Sequence, residues 1–314
     1  MKNNFWLKLN KPFFVLAPME AVTDNVFREL VAKYAKPNVL FTEFTSCDAL
    51  CSSGYNKTIN RLKFTRKQKP IVAQVWGNNP DNFFKTAKIV EKLGFNGIDI
   101  NMGCPDANVI KKGSGSGLIK TPDIAADIIL QTKKGAPNIA ISVKTRLGLK
   151  KIQTDEWIPF LLNQKIDALT IHLRTEAEKS KVPAHYEELQ KIVEFKNKIS
   201  PKTVIIANGD IFNIDTGIDI YNKYKIDGVM IARGIFSNFF VFNNKKQPTK
   251  KELFKILLEH TKNYEKEYKN KRNFDNMKKF FKVYIREFEG ATDLKLKLMD
   301  CKNYKEVQKV IKSF

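Results

Sequence analysis

Eight short apolar runs, most of them separated by amphipathic stretches, limit what this chain can fold into more than any other feature. Each run is rich in branched or aromatic residues and is short enough for a single strand. The runs are Phe13–Ala17, Val39–Phe41, Ile71–Val75, Gly97–Ile100, Ile139–Val143, Ala168–Ile171, Thr203–Ala207 and Gly228–Ile231. Near-continuous apolar strands are typical of a parallel sheet whose two faces are both covered.

The stretches between the runs have the periodicity of helices. Pro80-Asp81 and Pro122-Asp123 place a proline and an acid where a first helical turn should begin. The predicted helices are Asp24–Tyr34, Pro80–Leu93, Asp123–Thr132, Glu156–Asn163, Tyr186–Phe195 and Ile214–Tyr221. Eight strand units with intervening helices predict an α/β fold, a (βα)8 TIM barrel. No Gly-x-Gly-x-x-Gly follows the first run, which argues against a Rossmann sheet.

The pattern changes after residue 242, where Asn243–Pro248 has the composition of a linker. We therefore predict a barrel domain over residues 1–242 and a small basic helical domain over 243–314. The predicted helices of the second domain are Lys250–Asn270, Asp275–Phe288 and Tyr304–Lys312. We expect the aromatic side chains in these helices to form a core more than a platform for nucleic-acid bases.

The charge of the chain indicates a polyanionic partner. The formal net charge is +22, and residues 243–314 hold 20 Lys or Arg against 10 Asp or Glu. A general lysine and asparagine bias would explain part of this excess but not its concentration in the tail. Basic surfaces of this kind hold nucleic acid through its phosphates.

Several other classes of protein are disfavoured. We find no membrane-spanning run and no signal peptide, so we expect a cytoplasmic protein. Four cysteines and three histidines are too few for a disulfide framework or a His-rich metal centre, and we expect no metal. We also expect the chain to act as a monomer.

Polar and titratable residues follow the apolar runs, at the barrel end where TIM-barrel enzymes carry their active sites. A barrel built only for stability would not need such a ring. The ring comprises Pro18-Met19-Glu20-Ala21, Thr42-Glu43, Gln74, Asn101-Met102-Gly103-Cys104-Pro105, Lys144-Thr145-Arg146, His172-Leu173-Arg174-Thr175, Asn208-Gly209-Asp210 and Ala232-Arg233-Gly234. The last two segments suit a phosphate, because small residues expose backbone N–H groups and Arg233 adds a bidentate cation. Lys144 and Gln74 suit the ring of a flavin.

A glycine-rich stretch, Lys111–Gly117, lies soon after Cys104. It lacks the spacing of a Walker nucleotide loop. We interpret it as a mobile basic lid beside the active site.

The chain resembles the tRNA-dihydrouridine synthase family over about residues 12 to 242, with a looser fit in the helical tail. The resemblance rests on six motifs, of which the second is the most specific. They are Leu16–Asp24, Asp99–Pro105, Val143–Gly148, Ile171–Thr175, Ala207–Ile211 and Met230–Gly234. It implies a tightly bound FMN, reduced by NADPH, and a specific uridine in the D-loop of tRNA as substrate. Hydride would pass from FMN to C6 of the uracil, and Cys104 would give the proton to C5.

Particular residues are expected to contact each ligand. The expected FMN contacts are Pro18, Met19, Glu20, Gln74, Lys144, His172, Asn208, Gly209, Asp210, Ala232 and Arg233. The expected substrate contacts are Asn101, Arg146, Arg174, Lys111, Lys112 and Lys278. Two other functions stay open: a flavin barrel that acts on a small molecule such as a dihydroorotate-like substrate or an enone, and a basic RNA-binding module without catalysis.

Overall fold

Eight parallel strands form a closed barrel in the computed structural model, which describes residues 3–243, 248–269 and 271–314. In chain order the strands are β1 (Phe13–Leu16), β2 (Val39–Phe41), β3 (Thr45–Ser46), β4 (Ile71–Trp76), β5 (Gly97–Met102), β6 (Ala140–Arg146), β7 (Ala168–His172), β8 (Val204–Asn208) and β9 (Gly228–Ile231). The sheet order is β2-β1-β9-β8-β7-β6-β5-β4, and a pairing between β2 and β4 closes it. Within the described residues the short strand β3 pairs only with the end of β4, so it is not one of the eight barrel strands. The predicted (βα)8 barrel is confirmed.

Helices surround the barrel, and the six predicted ones are present. They are α1 (Asn25–Tyr34), α4 (Pro80–Lys92), α6 (Pro122–Gly135), α7 (Thr154–Asn163), α8 (Glu188–Ile199) and α9 (Ile214–Tyr224). The Asp24 carboxylate caps α1 and the Asn79 side chain caps α4, as local sequence predicts. Four one-turn helices were not predicted, because a single turn carries no periodicity: α2 (Cys47–Leu50), α3 (Tyr55–Thr58), α5 (Ala107–Lys111) and α10 (Gly234–Ser237).

Side chains inside the barrel change character from one end to the other. Alternate residues of each strand face inward. Near the amino ends these are apolar and form one buried cluster, which includes Phe13, Val72, Ala140 and Ile206. Two positions further along three of these same strands the inward residues are Gln74, Ser142 and Asn208. The barrel is therefore packed at its amino end and polar at its carboxyl end.

The amino end is closed by the first residues of the chain. A 3-10 helix, Phe5–Lys8, buries Phe5 and Trp6 against the barrel. The Trp6 ring lies 5.8 Å from that of Phe13, and the Asn3 N–H donates to the Asn138 carbonyl, which precedes β6. The sequence did not predict this plug, because a single 3-10 turn has no periodic signature. With this end filled, ligands can reach the barrel interior from the carboxyl end.

Gly228 tests how tightly the barrel interior is packed. A Cβ at this position would lie 2.3 Å from Cε2 of Phe13, so the ring would have to move. We expect Gly228→Ala to lower the free energy of unfolding by about 1–3 kcal/mol, as overpacking does in close-packed cores. Urea denaturation measures this. The matched control is Gly54→Ala, where the nearest atom is 3.3 Å away. Equal stability of the two variants would contradict the packing described here.

In the described part of the chain, five helices follow the barrel. They are α11 (Lys250–Tyr268), α12 (Asp275–Lys278), α13 (Phe281–Tyr284), α14 (Ala291–Asp300) and α15 (Tyr304–Lys312). The prediction of one helix over Asp275–Phe288 was wrong: the chain breaks into two single turns, and the second ends at Tyr284. Helix α14 was missed. Asn270 and most of the predicted linker, residues 244–247, lie outside the described residues.

The helical region packs on the barrel through aromatic side chains. The Phe27 ring of α1 stacks on Phe280 with centroids 5.2 Å apart, and it meets the Phe239 ring edge-on at 6.1 Å. His260 is fully buried beside them, with Nδ1 2.9 Å from the Tyr284 hydroxyl. The aromatic residues Phe280, Phe281 and Tyr284 are core residues, as predicted. One hydrophobic core thus continues across residue 242.

Candidate active site

Cys104 lies on the loop that follows β5, at the polar end of the barrel. The Asn101 side chain shapes this loop: its Oδ1 accepts hydrogen bonds from the backbone N–H of Gly103 at 3.1 Å and of Cys104 at 2.9 Å. The thiol is partly buried, and this burial raises its pKa above the usual range. Cys104 is therefore a protonated thiol near neutral pH, available as an acid.

A chain of hydrogen bonds ties the Cys104 loop to the barrel interior. The Asn101 amide donates to Gln74 Oε1 at 3.1 Å, and Gln74 Nε2 donates to Asp99 at 2.8 Å. Asp99 also accepts from the Ser142 hydroxyl at 2.6 Å. Burial raises the Asp99 pKa to about 6. Because each amide is held by its neighbour, Asn101 is fixed in the orientation that holds the loop.

Arg146 braces the same loop from the next strand. Its Nε donates to the Gly103 carbonyl at 2.8 Å, and its Nη1 donates to the carbonyls of Thr175 and Lys179 at 2.9 and 3.0 Å. The residue is 5% exposed. Arg146 thus supports the Cys104 loop, and most of its N–H donors already bond to backbone carbonyls.

The glycine-rich stretch also lies beside Cys104. The Ser116 hydroxyl donates to the Cys104 carbonyl at 2.9 Å. Gly115 has a φ of +61°, and a Cβ at this position would lie 2.9 Å from the Cys104 carbonyl oxygen and 3.1 Å from its Cβ. Ser114 and Ser116 are buried, whereas Lys111 and Lys112 are exposed. The buried residues Ser114–Gly117 therefore pack against the Cys104 loop and support it. A lid role therefore remains a prediction only for the exposed lysines.

A cavity of about 240 Å³ opens between the ends of β7, β8 and β9 and the segment after β1. Nine of the eleven predicted FMN contacts line it, together with Ala17, Ser180, Ile211 and Phe212; the nine are Pro18, Met19, Lys144, His172, Asn208, Gly209, Asp210, Ala232 and Arg233. Ser180 and Phe212 were not predicted, because they lie in loops beyond the strand ends. Gly209 has a φ of +122°, and a Cβ there would approach Cδ2 of His172 to 3.3 Å.

The side chains in and around this cavity carry a net positive charge, which one carboxylate partly neutralises. Asp210 accepts from Arg233 at 2.9 Å and is paired with Arg174, whose side chain is 2% exposed. Lys144 donates to Asn208 Oδ1 at 3.0 Å. Three cations face one carboxylate, which leaves a net attraction for an anion.

His172 is neutral in this setting. Burial and the surrounding cations lower its pKa to about 2. Arg174 Nη1 lies 3.2 Å from His172 Nε2. Because a guanidinium only donates, Nε2 is the acceptor and the ring carries its proton on Nδ1. Arg174, a predicted substrate contact, is therefore committed to His172, Asp210 and the Val182 carbonyl.

Lys144 gives a pH-dependent test of the cavity. Burial lowers its pKa from 10.5 to about 8, so the unfolded chain binds more protons than the folded one between these values. Stability of the ligand-free protein should therefore rise with pH across that window. Lys144→Met removes this effect, so the wild type should gain up to about 3 kcal/mol relative to the variant. Urea denaturation at several pH values measures the difference, with exposed Lys305→Met as the control. A constant difference would contradict the burial of Lys144.

A second cavity, of about 670 Å³, lies between the barrel mouth and the helical region. Glu20, a predicted FMN contact, lines this cavity and pairs with Arg61. Lys279 also lines it, whereas the predicted substrate contact Lys278 instead pairs with Asp275 at 2.6 Å. Glu20 and Gln74 are thus the two predicted FMN contacts that do not line the smaller cavity, and Lys278 lines neither cavity.

No helix among residues 3–243, 248–269 and 271–314 has both the length and the hydropathy to cross a bilayer. No three His, Cys, Asp or Glu side chains in these residues cluster as metal ligands would.

The chain is similar to known proteins of one family over nearly its whole length. The family model described as dihydrouridine synthase (Dus) matches residues 15–314. A "Probable tRNA-dihydrouridine synthase" of Staphylococcus aureus (strain COL) is 45% identical over 318 residues, which cover 100% of this chain and 96% of that protein. A "Probable tRNA-dihydrouridine synthase 2" of Bacillus subtilis (strain 168) is 43% identical and covers 100% of this chain and 97% of that protein.

Solved structures agree on the fold alone. Histamine dehydrogenase from Rhizobium sp. 4-9 superposes with a TM-score of 0.53 at 13% identity, over 73% of this chain and 44% of that chain. The shared part is a barrel.

Proposed function

The chain belongs to the dihydrouridine synthase family, and on that premise we propose that it reduces the C5–C6 double bond of specific uridines in the D-loop of tRNA. The observation that carries the proposal is Cys104, a partly buried thiol held on a strand-end loop by Asn101. The relatives' similarity extends over the whole chain, including the basic helical region.

The smaller cavity fits the phosphate of FMN. Gly209 leaves room beside His172, Arg233 offers an exposed guanidinium, and the neutral His172 ring has a spare N–H. Lys144 and Gln74 would face the ring of the flavin, where an ammonium stabilises negative charge. When bound and reduced by NADPH, FMN supplies the hydride that C6 of the uracil needs.

Cys104 supplies the proton for the same reaction. Because the C5–C6 bond is conjugated with the C4 carbonyl, hydride addition at C6 places negative charge on C5 and O4. The raised pKa keeps the Cys104 thiol protonated, so it can protonate C5. Asn101 and Arg146 hold the loop and thereby direct the thiol.

The larger cavity and its rim are where we propose that tRNA binds. Lys57 and Lys271 are exposed there, and no ion pair joins either to a carboxylate within the described part of the chain. The target uridine must leave its stack to reach the barrel, as the substrates of other base-modifying enzymes do. Contacts to phosphate and RNA shape would hold the rest of the molecule.

A flavin barrel that acts on a small molecule fits less well. Such an enzyme has no need for a basic helical region of 20 Lys or Arg against 10 Asp or Glu. A dihydroorotate-like substrate would also leave the rim lysines without a role.

The proposal is tested on purified protein. We expect a yellow protein whose flavin absorption bleaches on addition of NADPH and whose affinity for bulk tRNA falls steeply with salt. Bleaching without tRNA binding would favour the small-molecule enzyme, and tRNA binding without flavin would favour an RNA-binding module.

A further inference from the structure

Glu43, just beyond β2, is a buried carboxylate that the proposed chemistry does not use. Its side chain is 1% exposed. Oε1 accepts a hydrogen bond from the Ala21 N–H at 2.8 Å and lies 3.6 Å from Arg61, while Oε2 lies 3.9 Å from Arg272. One carboxylate therefore meets three segments that are distant in sequence. We call this arrangement the Glu43 junction.

The first segment is the turn Pro18–Asp24. Its Pro18 and Met19 line the smaller cavity. Ala21 has a φ of +57°, a left-handed conformation that a non-glycine residue adopts only when its surroundings hold it there. The turn is closed by the Thr23 N–H, which donates to the Met19 carbonyl at 3.0 Å. The hydrogen bond from the Ala21 N–H to Glu43 holds the middle of the same turn in place.

The second segment belongs to the helical region. The guanidinium of Arg272 lies 4.2 Å from the centroid of the Tyr268 ring, and its Nη1 is 3.5 Å from the Asp24 carboxylate. Arg272 thus contacts Asp24, the last residue of the turn, and Glu43, which accepts the hydrogen bond from Ala21 in the middle of the turn. Its side chain is 30% exposed and lines the larger cavity.

The third segment lies between β3 and β4. Arg61 contacts Glu43, pairs with Glu20 in the turn, and donates to the Phe44 carbonyl at 3.2 Å. Two arginines that line the larger cavity are therefore neutralised by the carboxylates that hold the turn at the edge of the smaller cavity. An RNA phosphate in the larger cavity would draw on the same guanidinium groups.

We propose that Glu43 is a positioning residue that links the helical region to the turn Pro18–Asp24 through Arg272, so that RNA bound on one side alters the cofactor-side turn on the other. This inference rests on the proposed function. Its physical basis is that loss of one partner leaves the buried Glu43 charge less compensated, which disturbs its surroundings more than loss of an exposed partner does.

Arg272→Ala tests the link, because Arg272 does not contact Ala21. In protein free of flavin and RNA, we expect the amide of Ala21 to exchange its hydrogen about fivefold faster or more in this variant than in the wild type. The matched control is Glu259→Gln. This variant removes the charge of a carboxylate on α11 that pairs with Lys33 of α1 at 2.7 Å. It breaks a different contact between the helical region and the barrel and leaves the Glu43 junction intact. Unchanged exchange at Ala21 in Arg272→Ala would overturn the proposal.

A second measurement connects the junction to turnover. Glu43→Gln keeps an oxygen for the Ala21 N–H but loses the charge, so both Glu43→Gln and Arg272→Ala should lower kcat at saturating tRNA. The double variant should be no slower than the slower single variant, since both changes break one link. Additive losses would overturn the proposal. If Glu43→Gln fails to fold, the exchange at Ala21 in Arg272→Ala still decides. The exchange measurement needs no dihydrouridine formation, so failure of the proposed function would be visible separately in the wild type.

Discussion

Replacing Cys104 with alanine is expected to lower kcat for dihydrouridine formation by about 10²- to 10⁴-fold, the usual loss when a general acid is removed. Fold and flavin content should be retained, because Asn101 and Arg146, not the thiol, hold the loop. NADPH should still reduce the flavin. The measurement is single-turnover reduction of tRNA followed by quantification of dihydrouridine.

Cys51→Ala is the matched control for that variant. Cys51 is also a partly buried free thiol, and its Sγ lies 3.6 Å from the Asn82 carbonyl oxygen and 3.8 Å from the Thr86 hydroxyl. We expect near-normal turnover. In the wild type, the raised pKa of Cys104 predicts activity that is constant through neutral pH and falls only in the alkaline range. Turnover of Cys104→Ala within a few-fold of the wild type would contradict its role as the acid.

Reversing two charges at the rim of the larger cavity should produce the largest change in tRNA affinity. In the double variant Lys57→Glu/Lys271→Glu, two exposed cations become anions next to the proposed RNA path. We expect tRNA affinity at physiological salt to fall by roughly tenfold to a hundredfold, and the salt dependence to weaken. Filter binding across a range of salt concentrations measures both.

The control has the same change in charge at another place. Lys305→Glu/Lys309→Glu alters two exposed lysines on α15 that line neither of the two cavities described here. If tRNA affinity depends only on the total charge of the protein, both double variants will weaken binding equally. That result would contradict a localised RNA surface at the rim.

The barrel could be predicted because its strands and helices have distinct periods. Runs such as Gly228–Ile231 are apolar throughout since they are covered on both faces, and the strand ends are marked by residues such as Lys144 and Asn208. The same rule explains why nine of the predicted FMN contacts line one cavity, because the carboxyl ends of parallel strands converge.

Other features could not be predicted, since they depend on contacts between distant segments. The end of helix α13 at Tyr284 is one example: five of the six residues 280–285 are buried, which one face of a regular helix cannot achieve. Phe212 and Ser180 enter the cavity from loops without periodicity. The role of Glu43 depends on Arg272, which lies in another region of the chain.

These features assign separate tasks to separate parts of one core. The amino end of the barrel is filled by Trp6 and gives rigidity. The carboxyl end of the barrel holds the smaller cavity and the Cys104 loop. The helical region contributes basic residues to the larger cavity beside this end. The Glu43 junction lies where these parts meet.

Dihydrouridine mapping in tRNA tests the central claim most directly. Total tRNA from a strain that lacks this gene would be compared with tRNA from the same strain carrying the wild-type gene or the Cys104→Ala variant. We predict that dihydrouridine is absent at specific D-loop positions in the deletion strain, returns with the wild type, and does not return with Cys104→Ala. An unchanged dihydrouridine pattern in the deletion strain, together with no dihydrouridine formed by the purified protein on that tRNA, would contradict the assignment.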